Sequence, residues 1–272
     1  EQYDVANGIL KAIFKVNPHH AASWALQAAL HIIRNEPTRA EKARANGLKY
    51  WKTNPLVDHE IGKKLSSKYL FAEGAAHQRQ ALKFNKDYIP AKTQLAQDLL
   101  RLGEDEEGWR LAAEAHEADG YDVTTFNLLT LHDSLKKYVT IERNGFLLRM
   151  TRDEAALYGD EAIELLTEAR RLFSKKYDTQ IEGPVIVEIF PEKKDFAVRT
   201  FGIPGGDGYM GVCFGKLITA NSPKSLVGFG QLGLQPSHLI AQIDMGTFQL
   251  ASRLVERFHE LMEFVHAATG GR

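Results

Sequence analysis

The sequence predicts an α+β chain, with an N-terminal α-helical solenoid over residues 1–130 and a small mixed-sheet domain over residues 136–272. Three observations predict it. Turn signals recur through the first half at a spacing of about 34 residues, the mark of stacked helical units. After Asn127-Leu128-Leu129 the alanine-rich helical pattern gives way to β-branched and aromatic runs. Within those runs Asn144-Gly145 separates two apolar segments, a strong short-range signal for a hairpin.

A chain of 272 residues has room for two domains, and 44% hydrophobic with 25% charged residues allows each a core. Lys+Arg of 34 against Asp+Glu of 35 leaves a formal charge of −1. With no basic block, and no aromatic-basic interleaving of the kind that marks a nucleic-acid surface, nucleic acid is not expected as a partner. The single cysteine, Cys213, excludes an internal disulfide framework and cannot alone build a zinc-thiolate site. No histidine or helix start stands near it to stabilise a thiolate, so it reads as a small buried residue of a strand rather than a nucleophile. No run approaches the roughly 18 apolar residues of a membrane span, and no signal peptide opens the chain. The first residue is Glu1, which leaves room for an upstream piece, and the compartment stays open.

The solenoid elements follow in order. Asn17-Pro18, Asn54-Pro55, Asn85 with Pro90, and Asp119-Gly120-Tyr121 each follow an amphipathic helix. Apolar stripes at helical spacing lie between them: Ala6, Leu10, Ile13 and Phe14, then Ala21, Trp24, Ala25, Ala28 and Ala29, then Ala40, Ala43, Leu48 and Tyr50. Later stripes are Leu65, Tyr69, Ala72, Ala76 and Ala81, then Ala91, Leu95, Leu99 and Leu102, which Gly103 terminates. Trp109, Ala112, Ala113 and Ala115 close the series. This half resembles the tetratricopeptide repeat family over about residues 3 to 130, with Tyr88 through Gly103 and Trp109 through Asp119 as its best match. A non-repeating helical bundle is the alternative. The resemblance implies a superhelix whose concave face binds a peptide or a neighbouring domain. Asn46, Lys49, Lys92, Gln94 and Gln97 are polar positions that such a groove would contain, none singled out as a site.

In the second half, Tyr138 to Glu142 and Phe146 to Met150 form the expected hairpin around Arg143-Asn144-Gly145. Thr151 with Glu154 three residues on reads as a capping box opening a helix that ends near Tyr177. Pro184 to Phe190 reads as a strand, Lys193 to Thr200 as a short helix, and Tyr209 to Phe214 with Lys216 to Ala220 as a closing strand pair. The words VIVEIFPEKKDFAVRTFGIPG and GYMGVCFGKLITANSP resemble the opening half of a gluzincin metallopeptidase domain, nearest to the peptidase MA-like family, over residues 136 to 223. In that family the edge strand receives extended peptide by strand addition, which points to Tyr209, Gly211 and Cys213 as substrate-side residues.

Gluzincin chemistry needs His-Glu-x-x-His on a helix, where two histidines four apart hold zinc and the glutamate works on the metal-bound water. No such motif occurs in this chain. The nearest approach is His259-Glu260-Leu261-Met262-Glu263, with His259 and Glu263 as two candidate zinc ligands and Glu260 as candidate catalytic base. The chain offers no further helix for a third ligand, so a zinc peptidase, a degenerate relic and an ordinary surface helix all remain open readings of this segment. Gly206-Asp207-Gly208-Tyr209-Met210-Gly211 has the letters of a dinucleotide fingerprint but not its strand-before, helix-after context. The expectation is thus a repeat scaffold that binds a protein or peptide, on its concave face or on the edge strand. It carries an incomplete metallopeptidase-like domain without a cofactor. The alternative is a zinc-dependent peptidase.

Overall fold

The structure is a computed structural model that describes residues 2–181, 183–205, 208–222 and 225. It is mixed α+β, with helices first and a small mixed sheet after them. The leading helices are α1 (Gln2–Val16), α2 (Ala21–Ile33), α3 (Pro37–Gly47), α4 (Pro55–Ser66), α5 (Phe71–Phe84), α6 (Ile89–Leu102), α7 (Asp105–Ala118) and α8 (Val123–Leu135). Helices α2, α4, α6 and α8 start at Ala21, Pro55, Ile89 and Val123, each 34 residues after the last. Helices α3, α5 and α7 keep the same interval from Pro37 to Phe71 to Asp105.

One local device recurs at these turns. Asn17, Asn54, Asn85 and Asp119 each use the side-chain oxygen to accept the backbone N–H two residues on, at His19, Leu56, Asp87 and Tyr121. Such an Asx turn folds the chain back just where the next helix must begin. Helix α2 packs on α3 and α4, and α4 packs on α5. Ala25, Ala28, Ala29, Ala43, Val57, Ile61 and Leu65 form the core between them. Small residues set the helix separation. A Cβ on Gly62 would stand 2.7 Å from the Gly74 carbonyl oxygen, and one on Gly74 would collide with Ser66 Oγ.

This helical core is not purely apolar. Buried Asp58 receives both arms of the Arg44 guanidinium at 2.8 Å and His77 Nδ1 at 2.8 Å. Burial works to raise the Asp58 pKa, but the hydrogen bonds from His77 and Arg44 outweigh it and hold the carboxyl below the usual carboxylate range. Alongside, His59 Nδ1 donates to Gln78 Oε1 at 2.9 Å, and Gln78 Nε2 donates back to the His59 carbonyl at 3.1 Å. Ser66 Oγ and Gln94 Nε2 both donate to Asp98, at 2.8 and 2.9 Å.

The chain divides into two compact units, one of Glu1–Leu100 with Glu104–Thr125 and the other of Arg101–Gly103 with Phe126 onward. The second contains β1 (Tyr138–Arg143), β2 (Phe146–Thr151), α9 (Arg152–Tyr177), β3 (Val185–Phe190), α10 (Lys193–Phe201), β4 (Gly211–Phe214) and β5 (Leu217–Asn221). Its strands are ordered β1-β2-β3-β5-β4. Pairs β1–β2 and β4–β5 are antiparallel, whereas β2–β3 and β3–β5 are parallel.

Each connection has a local cause. Asn144 and Gly145 take φ of +53° and +78°, as a two-residue turn matching strand twist requires. Gly215 takes φ +58° in the second two-residue turn, so Lys216 belongs to that turn and β5 begins at Leu217, one residue later than the sequence predicts. Thr151 Oγ1 donates to Glu154 Oε2 at 3.1 Å, so the two side chains meet each other instead of the α9 backbone N–H groups, and the expected capping box does not form. Helix α9 covers one sheet face with Tyr158, Ala162, Ile163, Leu166 and Phe173, against Phe146, Leu148, Met150, Val185, Val187, Ile189, Cys213 and Ile218. The alternate residues of β3 face the other way. There Glu188, wholly buried, accepts from Arg199 Nε on α10 at 2.6 Å and from Arg149 Nη1 at 3.0 Å.

Candidate functional site

The last strand in the sheet order is β4, and among the described residues no strand pairs with its outer side. Its register with β5 places Gly211 opposite Ala220, Val212 opposite Thr219, Cys213 opposite Ile218 and Phe214 opposite Leu217. In an antiparallel pair only every second opposed couple exchanges hydrogen bonds, and the others turn their N–H and C=O outward. The two-residue turn makes Phe214–Leu217 a bonded couple. Asn221 N donates to Met210 O at 2.8 Å, which puts Met210–Asn221 in the same phase. Val212–Thr219 therefore bonds inward, and Gly211 and Cys213 turn their backbone donors and acceptors away from β5; Gly211 is partly exposed whereas Cys213 is wholly buried, so of the two only Gly211 offers its backbone to the edge.

The hairpin is held from both sides. Thr219 Oγ1 lies 2.9 Å from Thr200 Oγ1 on α10 and 3.4 Å from the Val212 carbonyl, both buried. Asn221 Nδ2 donates to the Tyr209 carbonyl at 2.8 Å, and the Tyr209 ring packs on Phe201 with centroids 5.3 Å apart. Tyr209 thus lies just before β4, not within it, and its carbonyl is already engaged. The sequence reads Asn221 only as part of a terminating Asn-Ser-Pro turn. Its clamp on Tyr209 depends on the hairpin register, which no local signal carries.

The three edge residues consequently contribute differently. Gly211 adds no side chain and leaves its backbone accessible to a second strand. Cys213 turns its side chain into the core, where Sγ lies 3.5 Å from the Gly215 carbonyl. Burial pushes its thiol up to about 12, so the thiolate is not available at neutral pH, and the wholly buried residue offers neither side chain nor backbone to a ligand. Tyr209 supplies an aromatic flank. These three residues are brought to one strand end, as β4 and its approach.

The candidate zinc ligands His259 and Glu263 and the candidate base Glu260 lie outside the described residues, as does the helix the sequence predicts around them. Among the described residues no group of three or more His, Cys, Asp or Glu side chains is placed to hold a metal ion. The described donor sets therefore do not fit a zinc centre. Also among the described residues, no helix is long and apolar enough to cross a membrane. Of the polar groove positions, Gln94 is bonded to Asp98 and Lys92 Nζ pairs with Glu114 at 3.2 Å, so both serve the helical packing. No protein-family model, curated protein or solved structure matches this chain.

Proposed function

We propose that this protein is a binding scaffold, a tetratricopeptide-type helical array joined to a metallopeptidase-like domain, and that the β4 edge takes up extended peptide as an added strand. The observation that carries the reading is the hydrogen-bonding phase of β4, which leaves the partly exposed Gly211 backbone facing away from β5 beside the Asn221–Tyr209 clamp. Strand addition draws its affinity from main-chain hydrogen bonds and its selectivity from alternate side chains. The test is calorimetry with a panel of extended, threonine- and valine-rich peptides. Gly211→Pro removes one outward donor at a position where an edge strand tolerates proline, and should abolish binding while the melting temperature is kept. Equal binding by wild type and variant would refute strand addition at this edge.

The second reading is a zinc-dependent peptidase with His259 and Glu263 as ligands and Glu260 as base. It draws on the terminal segment for its metal site. Stoichiometric zinc in the purified chain, lost on His259→Ala, would select it over the scaffold reading.

A further inference from the structure

The formal charge of the whole chain is −1, yet the first three turns that lead into α2, α4 and α6 are strongly basic. They read Lys15-Val16-Asn17-Pro18-His19-His20, Lys49-Tyr50-Trp51-Lys52-Thr53-Asn54 and Lys83-Phe84-Asn85-Lys86-Asp87-Tyr88. Lys15, Lys49 and Lys83 fall at one phase of the repeat, and Lys52 and Lys86 at another. All five lysines are exposed, and none takes part in an ion pair among the described residues. Asp87 is the one acidic residue in these turns.

The fold brings the turns together at one end of the helical unit. His19 Nε2 lies 3.3 Å from Tyr50 Oη and the two rings meet edge-on at 4.5 Å, which joins the first turn to the second. Tyr88 in the third turn meets His59, in the opening stretch of α4, at 5.6 Å. Between the lysines stand side chains that the core leaves out. Val16 is 88% exposed, Tyr50 66% and Trp51 57%. Lys49 Nζ sits 5.3 Å from the centre of the Tyr50 ring, so cation and aromatic face outward as one surface.

We propose that this edge docks on an anionic lipid surface. The chemistry favours a membrane over an acidic polypeptide because large apolar side chains, Val16, Tyr50 and Trp51, stand exposed among the lysines. Tryptophan, tyrosine and valine flanked by lysines match the interface between headgroups and acyl chains, where aromatic rings settle and lysines reach the phosphates. Trp51 and Val16 enter the interfacial layer, and the five lysines supply the attraction to negative headgroups. The docking involves no membrane-spanning element.

Vesicle sedimentation with the full chain tests the proposal. Phosphatidylcholine vesicles with about 30% phosphatidylserine should retain the protein and pure phosphatidylcholine vesicles should not, since each lysine near such a surface contributes about fivefold in affinity. Raising salt to about 0.5 M should release it. Lys49→Glu/Lys52→Glu/Lys83→Glu should abolish binding with an unchanged melting temperature, as all three side chains are exposed. Binding should shift tryptophan emission to the blue in a Trp24→Phe variant, and adding Trp51→Phe should remove the shift; Trp24 is replaced first because its Nε1 donates to the Pro18 carbonyl of the first turn at 2.8 Å. Failure to bind the anionic vesicles, equal binding to neutral vesicles, or a blue shift that survives Trp51→Phe would each overturn the proposal. Capture by polyglutamate without vesicle binding would assign the edge to an acidic protein and overturn it equally.

Discussion

The two units bury charge in opposite ways. The helical unit threads polar groups through its middle, with Asp58, Arg44 and His77 in one cluster and Ser66, Asp98 and Gln94 in another. The sheet unit keeps the core under α9 apolar, and among the described residues its buried ion pairs are those of Glu188 with Arg199 and Arg149 on the opposite face, while Arg143–Asp160 lies exposed at the surface. The difference follows from packing. Alanine- and glycine-rich helices approach closely enough that side chains from alternate helices meet, and polar pairs can then fix which helix faces which. A sheet sets its register through backbone bonds and needs only one such pair to seat α10.

The contrast can be broken at either unit. Glu188→Ala should have the largest effect, about 3–5 kcal/mol of lost stability, because it leaves the wholly buried Arg199 guanidinium without its carboxylate. Asp58→Ala should cost less, about 2–3 kcal/mol, since Arg44 and His77 are partly exposed and regain water. Denaturant melts of both variants check the order, and a larger loss for Asp58→Ala would reverse the comparison. Gly62→Ala should follow at about 1–3 kcal/mol, as its Cβ meets the Gly74 carbonyl and Gln78 Nε2 and the helices must part.

Acid sharpens the contrast further, because the two units titrate with opposite sign. Asp58 has a depressed folded pKa, so its contribution is present above its unfolded pKa and is lost as pH falls through the folded value. Burial lowers the His59 pKa against the hydrogen bond to Gln78, so the unfolded chain takes up a proton first as pH drops below about 6.5, and the helical unit weakens. In the sheet unit burial, reinforced by Glu192, raises the Asp195 pKa. Its carboxyl is uncomfortable as a carboxylate, and its contribution grows as pH falls through the folded value towards the unfolded one. Hydrogen exchange followed from pH 7 to pH 4, with rates corrected for intrinsic pH dependence, should show protection declining in α4 and α5 before β3. Earlier loss in β3 would contradict this. The smallest effect is chemical. The Cys213 thiol should resist iodoacetamide at pH 8 in the native protein and react on unfolding.

What was legible in the sequence is what short segments encode. Asn17, Asn54, Asn85 and Asp119 each build their turn from residues two apart, so the helix starts could be read directly. Asn144-Gly145 specifies its hairpin by itself. The polar clusters could not be read, since Arg44 and Asp58 lie 14 residues apart and Ser66 and Asp98 lie 32 apart, and their meeting depends on tertiary packing. The basic edge was hidden for the same reason: Lys15, Lys49 and Lys83 are distant along the chain and become neighbours only when their turns stack. At the candidate site, the strand letters Gly211 to Phe214 were legible. Which of them turn outward was not, because that follows from the Gly215 turn and the register it imposes on β5.

That phase is open to direct measurement by residue-resolved amide hydrogen exchange along β4, with and without an extended peptide that binds. The account predicts fast exchange at Gly211 in the free protein, slow exchange at Val212 in both states, and protection of Gly211 when peptide is added. Slow exchange at Gly211 in the free protein, or no change there with peptide bound, would contradict it.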